Sequence, residues 1–352
     1  ADKRTYQHTV LPNGIEVLNI QDERTLQAAA AVAVMAGSFH NPIELPGLAH
    51  FCEHMLFLGS KKYPEPSSFN DFMNQHAAWH NAYTDTEITN YFLQLAEEGA
   101  EEGIDRLANF FKSPLFTEEY VQREVNAVDS EHSKNIDNPT WFTLDAMMSL
   151  ANPASPVSRF STGDRQTLWE EPQAKGIDTV EGLRKFFNTE YCASRMKVVT
   201  IGRDSLEVQL NRSIVMFSDA GSQDPDCRQS AKTFETPEAW PDDRMGKWQN
   251  ILGNQPSASL WLLFGLEDLT STFKKSPMDY VSHVLSYRGV DSFYLLLQDK
   301  LGLITDVSSM LDSTSAGSNF FVKFDLTALG EQHKDLVLDL FYLYLAAIRN
   351  AG

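Results

Sequence analysis

The chain has 352 residues, and 42% of them are hydrophobic, which is enough for a sizeable core and excludes an intrinsically disordered protein. The 48 acidic and 29 basic residues give a net charge of -19, which argues against a generic nucleic-acid binder and against adsorption to anionic lipid. The length predicts two or three domains, and the acidic balance fits either a well-solvated surface or a chamber that attracts basic or neutral ligands.

The cysteines and the apolar runs narrow the class of protein further. Cys52, Cys192 and Cys227 are too few and too scattered to predict a disulfide framework, and their spacing matches no zinc knuckle. Because no apolar run approaches the roughly 18 residues of a membrane span, we expect no membrane insertion. No signal peptide opens the chain, although it begins at Ala1 rather than Met, so the compartment stays open. We expect a soluble protein of the cytoplasm or the periplasm.

Strands and helices alternate along the first part of the chain, which predicts an α+β domain. Apolar runs, turn residues and helix-capping residues define the elements. In chain order they are a hairpin over 9–17, a strand over 28–35, a helix over 48–58, a helix from Ser67 or Ser68 to about Ala77, a strand over 89–95, a helix over 101–112, a long helix from Thr117 towards Asn135, a strand over 196–201 and a helix over 205–215.

A change of composition marks the domain boundary. Residues 220–244 are rich in Gly, Ser, Asp, Pro and Gln, which is typical of a linker. We therefore predict a first α+β domain over 1–222, a linker over 223–244 and a second domain over 245–352.

The second domain repeats the pattern of the first at an offset of 229 residues. The strand and loop at 30–42 match 259–271, and the strand at 90–95 matches 319–324. The shared offset favours duplication over chance alternation of similar elements. Because no counterpart of the strand at 196–201 follows, we expect the second domain to be incomplete and the chain to be a fragment of a longer protein.

Residues 50–54 read HFCEH and carry the predicted chemistry. On a helix, positions i, i+3 and i+4 share one face, so His50 and His54 can bind one metal ion with Glu53 beside them. Two histidines on one helix with a neighbouring glutamate favour zinc. Glu53 is too close in sequence to be a third ligand, but it is placed to take a proton from a metal-bound water. The pattern H-x-x-E-H is the inverzincin signature. The alternative is a pair of helix-face histidines that are hydrogen-bonded to their neighbours.

A catalytic zinc ion needs a third protein ligand, and the long acidic helix offers one. Glu124 and Glu131 are seven residues apart and therefore share a face. Glu131 is the candidate ligand, and Glu124 can hold a ligand in place. The alternative is a solvated acidic surface, although Val121, Val125 and Val128 predict that one side of this helix is packed.

Three longer segments carry a family resemblance: HFCEHMLFLGSKKYP from residue 50, NAYTDTEITNYF from residue 81 and REVNAVDSEHSKN from residue 123. They resemble the N-terminal catalytic domain of the insulin-degrading-enzyme and pitrilysin family of zinc peptidases, and the insulin-degrading-enzyme branch in particular. The resemblance extends over the whole chain, including SRFSTGD at 158–164. It implies that His50, His54 and Glu131 bind one zinc ion, that Glu53 is the general base and that Glu124 supports the site.

The resemblance also implies a fold and substrate contacts. The fold is a pair of duplicated α/β sandwich domains of the pitrilysin and insulinase type, of which only the first keeps zinc. Substrate peptide adds as a strand to the sheet edge at 80–84, a mode that reads mainly the peptide backbone. Residues 305–312 correspond to a strand that holds a substrate terminus. The residues implied to line the cleft are Phe57, Asn81, Ala82, Tyr83 and Trp141, although Phe57 and Trp141 alone would be interpreted as core aromatics.

The second copy has lost the metal motif. The offset of 229 residues places DYVSH, at 279–283, opposite the HFCEH segment. The first histidine is replaced by Asp279 and the glutamate by Ser282, so this copy cannot hold the same site.

Together these features predict a zinc metalloendopeptidase that hydrolyses peptides or small unfolded proteins. The alternatives are a non-catalytic binding or processing subunit on the same fold and a structural zinc site. Family members enclose substrate between two halves, and the second half comes in cis or from a partner chain. We therefore expect these 352 residues alone to bind zinc but to cleave weakly or not at all.

Overall fold

The computed structural model describes residues 2–224, 227, 237–253 and 257–351. The chain forms two compact units, Ala1–Asp137 with Arg159–Lys232, and Asn138–Ser158 with Thr233–Gly352. The predicted domain limits at 222 and 245 stay predictions. The compact units divide the chain inside the predicted linker, and they place residues 138–158 with the second unit.

The first unit is built on a mixed sheet with the strand order β1-β2-β6-β3-β5-β4. The pair β2 and β6 is parallel, and the other neighbours are antiparallel. Strand β6 therefore separates β2 from β3, although those two follow each other in the sequence. The strands are β1 Thr5–Val10, β2 Glu16–Gln21, β3 Gln27–Val34, β4 Trp79–Thr84, β5 Thr89–Ala96 and β6 Met196–Gly202.

One face of this sheet is buried beneath helices. In β3, the residues Ala28, Ala30, Val32 and Val34 are buried, while those between them are partly exposed, as strand alternation requires. Helices α1, α3 and α8 pack on the sheet, and α1 also contacts α4 and α7. The helices of this unit are α1 Leu48–Leu56, α2 Ser68–Gln75, α3 Ala100–Asn109, α4 Glu118–Ile136, α6 Glu171–Ala174, α7 Thr179–Glu190 and α8 Leu206–Phe217.

The second unit contains a smaller antiparallel sheet with the order β7-β9-β8. Its buried core includes Leu260, Leu285, Phe324 and Phe341. The strands are β7 Ser259–Leu266, β8 Ile304–Thr314 and β9 Gly317–Leu326, and the helices are α5 Pro139–Met148, α9 Pro277–Ser286, α10 Phe293–Leu295, α11 Ala328–Gln332 and α12 Lys334–Ala351.

The two units share a topology, which agrees with the predicted repeat. The order β7-β9-β8 matches β3-β5-β4, and helix α9 follows β7 as α1 follows β3. Both α1 and α9 lie at the positions that the offset of 229 residues predicts. The predicted α+β class is confirmed, with duplicated sheet-and-helix units.

The cysteines correct one expectation. Cys192 and Cys227 form a disulfide across a separation of 35 residues, and Cys52 is free and buried. Spacing did not predict this bond, since Cys227 lies in the predicted linker and belongs to no recognisable cysteine pattern. Much of that linker, residues 225–226 and 228–236, lies outside the described residues. None of the helices in the described part of the chain combines the length and the apolar composition that a membrane span needs.

Candidate metal centre

Helix α1 brings the two histidines together as the motif predicts. Leu48, Phe51 and Met55 are buried in the core, and this anchors the helix on its apolar side. His50 and His54 lie one turn apart on the same side, with their ring centroids 4.7 Å apart. The predicted metal pair therefore occupies one edge of a helix whose other faces are fixed by packing.

The start of α1 is held by close backbone packing. Gly47 precedes the helix with a φ of 88°, and a Cβ atom there would lie 2.2 Å from Gly163 Cα, so only glycine permits this approach. The side-chain oxygen of Asn41 accepts a hydrogen bond from the Ala49 amide at 2.7 Å. These contacts set the position of the histidine face at its N-terminal end.

Helix α4 supplies the third member of the cluster. Val121, Val125 and Val128 are buried, as the sequence predicts, and α4 packs against α1. Glu131 lies 3.8 Å from His50 Nε2 and 3.4 Å from His54 Nε2. One ligand atom from each of these three side chains lies within 4.8 Å of the others.

The remaining nitrogen of each imidazole has its own partner. His54 Nδ1 lies 2.8 Å from Glu124 Oε1, and His50 Nδ1 lies 2.7 Å from the carbonyl oxygen of Thr162. Metal-binding histidines commonly donate their second N–H to a carboxylate or a carbonyl, which fixes the ring and leaves the other nitrogen for the metal. Both Nε2 atoms face Glu131, so the histidines are oriented as metal ligands require.

Glu53 lies next to this cluster but is not one of its three ligand candidates. Its side chain is buried at 6% exposure, and Glu53 Oε2 accepts a hydrogen bond from the Thr84 hydroxyl at 2.7 Å. Burial raises the pKa of Glu53 to about 7, although the Thr84 hydroxyl lowers it. A carboxyl group with a pKa near neutrality is suited to accept and release a proton.

The pKa values of His50, His54 and Glu131 depend on one another. Burial alone would lower the pKa of His54, but its hydrogen bonds with Glu124 and Glu131 outweigh burial and raise that pKa to about 9. Burial, followed by the neighbouring His54, lowers the pKa of His50. The hydrogen bond with His54 lowers the pKa of Glu131, so that carboxyl group is ionised. A cation at this position would compete with the protons on the imidazoles, as metal binding does generally.

The residue types and their arrangement fit a zinc ion. Two imidazole nitrogens and one carboxylate are the protein ligands of several catalytic zinc sites, which keep a further position open. His50, His54 and Glu131 would hold the ion, and Glu124 and the Thr162 carbonyl would hold the two histidines. No second cluster of this kind occurs in the described part of the chain, the α9 segment with Asp279 and Ser282 included.

The residues predicted to contact substrate fall in three places. Asn81, Ala82 and Tyr83 lie on β4, the outermost strand of the first sheet, and Asn81 and Tyr83 are exposed. Phe57 is partly buried among aromatic rings, 5.0 Å from Phe110 and 5.5 Å from Phe69 between centroids. Trp141 lies on α5 in the second unit and is 54% exposed. The substrate roles of all five residues stay predictions.

Sequence reasoning missed the two partners that are remote in sequence. The hydroxyl of Thr84 is hydrogen-bonded to Glu53, which lies 31 residues away in the sequence. The carbonyl oxygen of Thr162 is hydrogen-bonded to His50, which lies 112 residues away. No spacing rule links residues so far apart. The segment at 158–164 is part of the family resemblance, but it did not predict that the Thr162 carbonyl oxygen contacts His50. Every residue type has a carbonyl oxygen, so the sequence does not mark which one is used.

Comparison with known proteins identifies the family. Residues 16–154 match the profile described as Insulinase (Peptidase family M16), and residues 179–352 match the Peptidase M16 inactive domain. The chain is 35% identical to the insulin-degrading enzyme of Bos taurus and 36% identical to that of Homo sapiens, each over 353 aligned positions. These alignments span 100% of this chain and 34% of each enzyme, so the chain covers about a third of the length of these relatives.

Solved structures agree with the sequence comparison. The crystal structure of pitrilysin superposes with a TM-score of 0.86 at 26% identity, covering 100% of this chain and 37% of pitrilysin. A protease from Helicobacter pylori superposes with a TM-score of 0.75 over 95% of this chain and 79% of the protease, and at 17% identity it shows the fold alone. Profiles, relatives and folds converge on one assignment: the chain belongs to the insulinase family of peptidases, family M16.

Proposed function

We propose that this chain is the metal-binding part of a zinc metalloendopeptidase. The observation that carries the proposal is the cluster of His50, His54 and Glu131 with the buried carboxyl group of Glu53 beside it. A structural zinc site would give Glu53 no task, because such sites use all their positions for protein ligands. Relatives named as insulin-degrading enzymes and as a putative zinc protease support the assignment.

The mechanism assigns a task to each side chain of the site. A zinc ion held there would act as a Lewis acid that polarises the scissile carbonyl and makes a nearby water molecule more acidic. Glu53 takes the proton of the attacking water and then delivers it to the leaving amine. Glu124 and the Thr162 carbonyl keep the rings of His54 and His50 oriented throughout.

The edge of the first sheet is the proposed substrate site. Strand β4 pairs only with β5 among the described strands, so its other edge is open to an added strand. We propose that a substrate peptide pairs with the backbone of 81–83 and reaches the metal cluster past Thr84, whose hydroxyl contacts Glu53. Peptides or small unfolded proteins fit this mode because their backbone is free to become a strand. The second half of the enclosure, in cis or as a partner chain, belongs to the same proposal.

The proposal is tested by separating metal binding from hydrolysis. Glu53→Gln keeps the shape of the side chain but removes the proton acceptor. It should retain zinc while chelator-sensitive hydrolysis of a quenched peptide falls ~10²-fold or more. Glu131→Gln is the matched variant, since it should lower the zinc content measured by metal analysis. Hydrolysis by Glu53→Gln at the unchanged rate would show that Glu53 is not the base.

A further inference from the structure

Thr84 lies between the open strand edge and Glu53. It is the last residue of β4, and its half-buried side chain points towards α1, where the hydroxyl donates to Glu53 Oε2 at 2.7 Å. Within the part of the chain that the structure describes, Glu53 makes no other hydrogen bond, so Oε1 is left without one. A buried carboxylate needs such a donor, because burial without a hydrogen bond is costly.

The neighbouring Thr89 is the other hydroxyl within reach of Thr84, and it competes only weakly for the Thr84 proton. Thr84 and Thr89 are directly opposite in the β4–β5 register, with their hydroxyl oxygens 3.4 Å apart. Thr89 is buried and donates its only hydroxyl proton to the carbonyl oxygen of Ala36 at 2.8 Å. Thr89 can therefore only accept from Thr84. The single hydroxyl proton of Thr84 goes to the closer acceptor, the carboxylate oxygen of Glu53 at 2.7 Å, rather than to Thr89 at 3.4 Å.

The backbone around Thr84 is held by the loop that follows β3. The amides of Ser38 and Phe39 donate to the carbonyls of Asp85 and Thr86 at 2.9 and 2.8 Å. A Cβ atom on Gly37 would lie 2.2 Å from the Asp85 carbonyl oxygen, so this close approach requires glycine. The turn that follows Thr84 is therefore anchored to the loop after β3.

We propose that Thr84 is a positioning residue for the reaction. Its hydroxyl holds one oxygen of Glu53 and leaves the other to accept the proton of the attacking water. Because Thr84 ends the strand that is open to peptide, the same residue links substrate pairing to the alignment of the base. This inference rests on the proposed function, but the pairing of Thr84 with Glu53 can be measured without any catalysis.

The first experiment is a double-mutant cycle on the whole chain without metal. Thr84→Val keeps the shape of the side chain and removes the hydroxyl. When Glu53 is present, it should lower the midpoint of urea-induced unfolding by roughly 0.5–1 M. In a Glu53→Met background, the same change should lower that midpoint by less than about half as much. Thr84→Ser, which keeps the hydroxyl, should stay close to the unchanged chain. The control is Thr9→Val, since Thr9 is a half-buried threonine on β1 at the other edge of the sheet, and its effect should be the same in both backgrounds.

The second experiment compares the same variants as zinc-loaded peptidases. Thr84→Val should lower kcat ~10-fold or more with KM within about twofold, because the base is displaced while the strand edge persists. Thr84→Ser should recover most of kcat, which a purely structural role of the side chain would not predict. A crystal structure of Thr84→Val should show the Glu53 carboxylate turned from its present orientation.

Three results would overturn the proposal. The first is a shift in unfolding midpoint from Thr84→Val that is the same with and without Glu53. The others are an equal loss of kcat in the Ser and Val variants, and an unchanged Glu53 orientation in Thr84→Val. Failure of the proposed function looks different. In that case the unchanged chain would hold no zinc by metal analysis, while the metal-free cycle would still report whether Thr84 and Glu53 are coupled.

Discussion

At the scale of single residues, the partners of the histidines matter as much as the histidines themselves. His54 is held by Glu124 at 2.8 Å and His50 by the Thr162 carbonyl at 2.7 Å. Both bonds reach the Nδ1 atoms and leave Nε2 directed to the third ligand candidate. The site is thus prepared before any metal arrives, which lowers the cost of ordering the side chains on binding.

Removing the carboxylate of Glu124 should weaken metal binding without abolishing it. Glu124→Gln keeps the side-chain size but replaces the charged partner of His54. We expect zinc affinity to fall ~10–100-fold in competition with a chelator of known affinity. Glu119→Gln, an exposed glutamate on the same helix, is the control and should leave the affinity unchanged. Equal affinity in the Glu124 variant would remove that residue from the site.

The local part of the site was predictable, and the remote part was not. The helix period alone places His50, His54 and Glu53 together, because residues three and four apart share a face. The position of Thr84 depends on which strand packs against α1, and that is decided by the whole sheet. A pairing across 31 residues, as between Thr84 and Glu53, leaves no periodic signal.

At the scale of secondary structure, most of the elements in the first unit were predicted, but the edge strand β4 and the buried helix α7 were not found from the residue pattern. The strand at 196–201 corresponds to β6, and the helix at 117–135 corresponds to α4. Strand β4 has no clear apolar alternation, because Trp79, Asn81 and Tyr83 all lie on its exposed side. Only the family resemblance pointed to it. Helix α7 could have been found from its capping residue, since the side chain of Asp178 accepts from the amides of Val180 and Glu181.

The disulfide between Cys192 and Cys227 ties the start of the linker to the first unit. The bond joins residues that are 35 positions apart. In the chain-entropy model, a cross-link that closes a loop of that length stabilises the folded unit by about 3–4 kcal/mol. Disulfides persist under oxidising conditions and are opened by reductants, so this contribution depends on the redox conditions.

Thiol counting tests the disulfide directly. Cys52 is buried, and burial raises the pKa of its thiol, so the native chain should not react with an alkylating reagent. After unfolding without reductant, mass spectrometry should find one modified cysteine, and after reduction it should find three. Three modified cysteines before reduction would show that the bond is absent in the isolated protein.

At the scale of the whole molecule, the chain covers about a third of its insulin-degrading-enzyme relatives. Helix α12 in the second unit exposes large apolar side chains, among them Leu343 at 65% and Tyr342 at 52%. Apolar surface of this kind is typical of an interaction face. It agrees with the proposal that further polypeptide completes the enclosure of substrate.

The isolated chain should therefore bind zinc well and cleave poorly. We expect one zinc ion per chain by metal analysis, and hydrolysis of a quenched peptide at least ~100-fold slower than by the human insulin-degrading enzyme per bound zinc. A substrate that is misplaced by about 1 Å can react ~100-fold more slowly. Comparable turnover by these 352 residues alone would show that the second half is not required.

The position of β6 in the first sheet has a consequence for synthesis of the protein. This strand lies between β2 and β3, and Asn19 donates to Thr200 across 181 residues. Until residues 196–202 leave the ribosome, β1 and β2 have no partner that joins them to β3, β5 and β4. The nascent chain therefore carries two separate pieces of sheet with open edges through most of the first unit. Such long-range pairing folds slowly and exposes strands to aggregation, so the histidines emerge early while the sheet beneath them closes late.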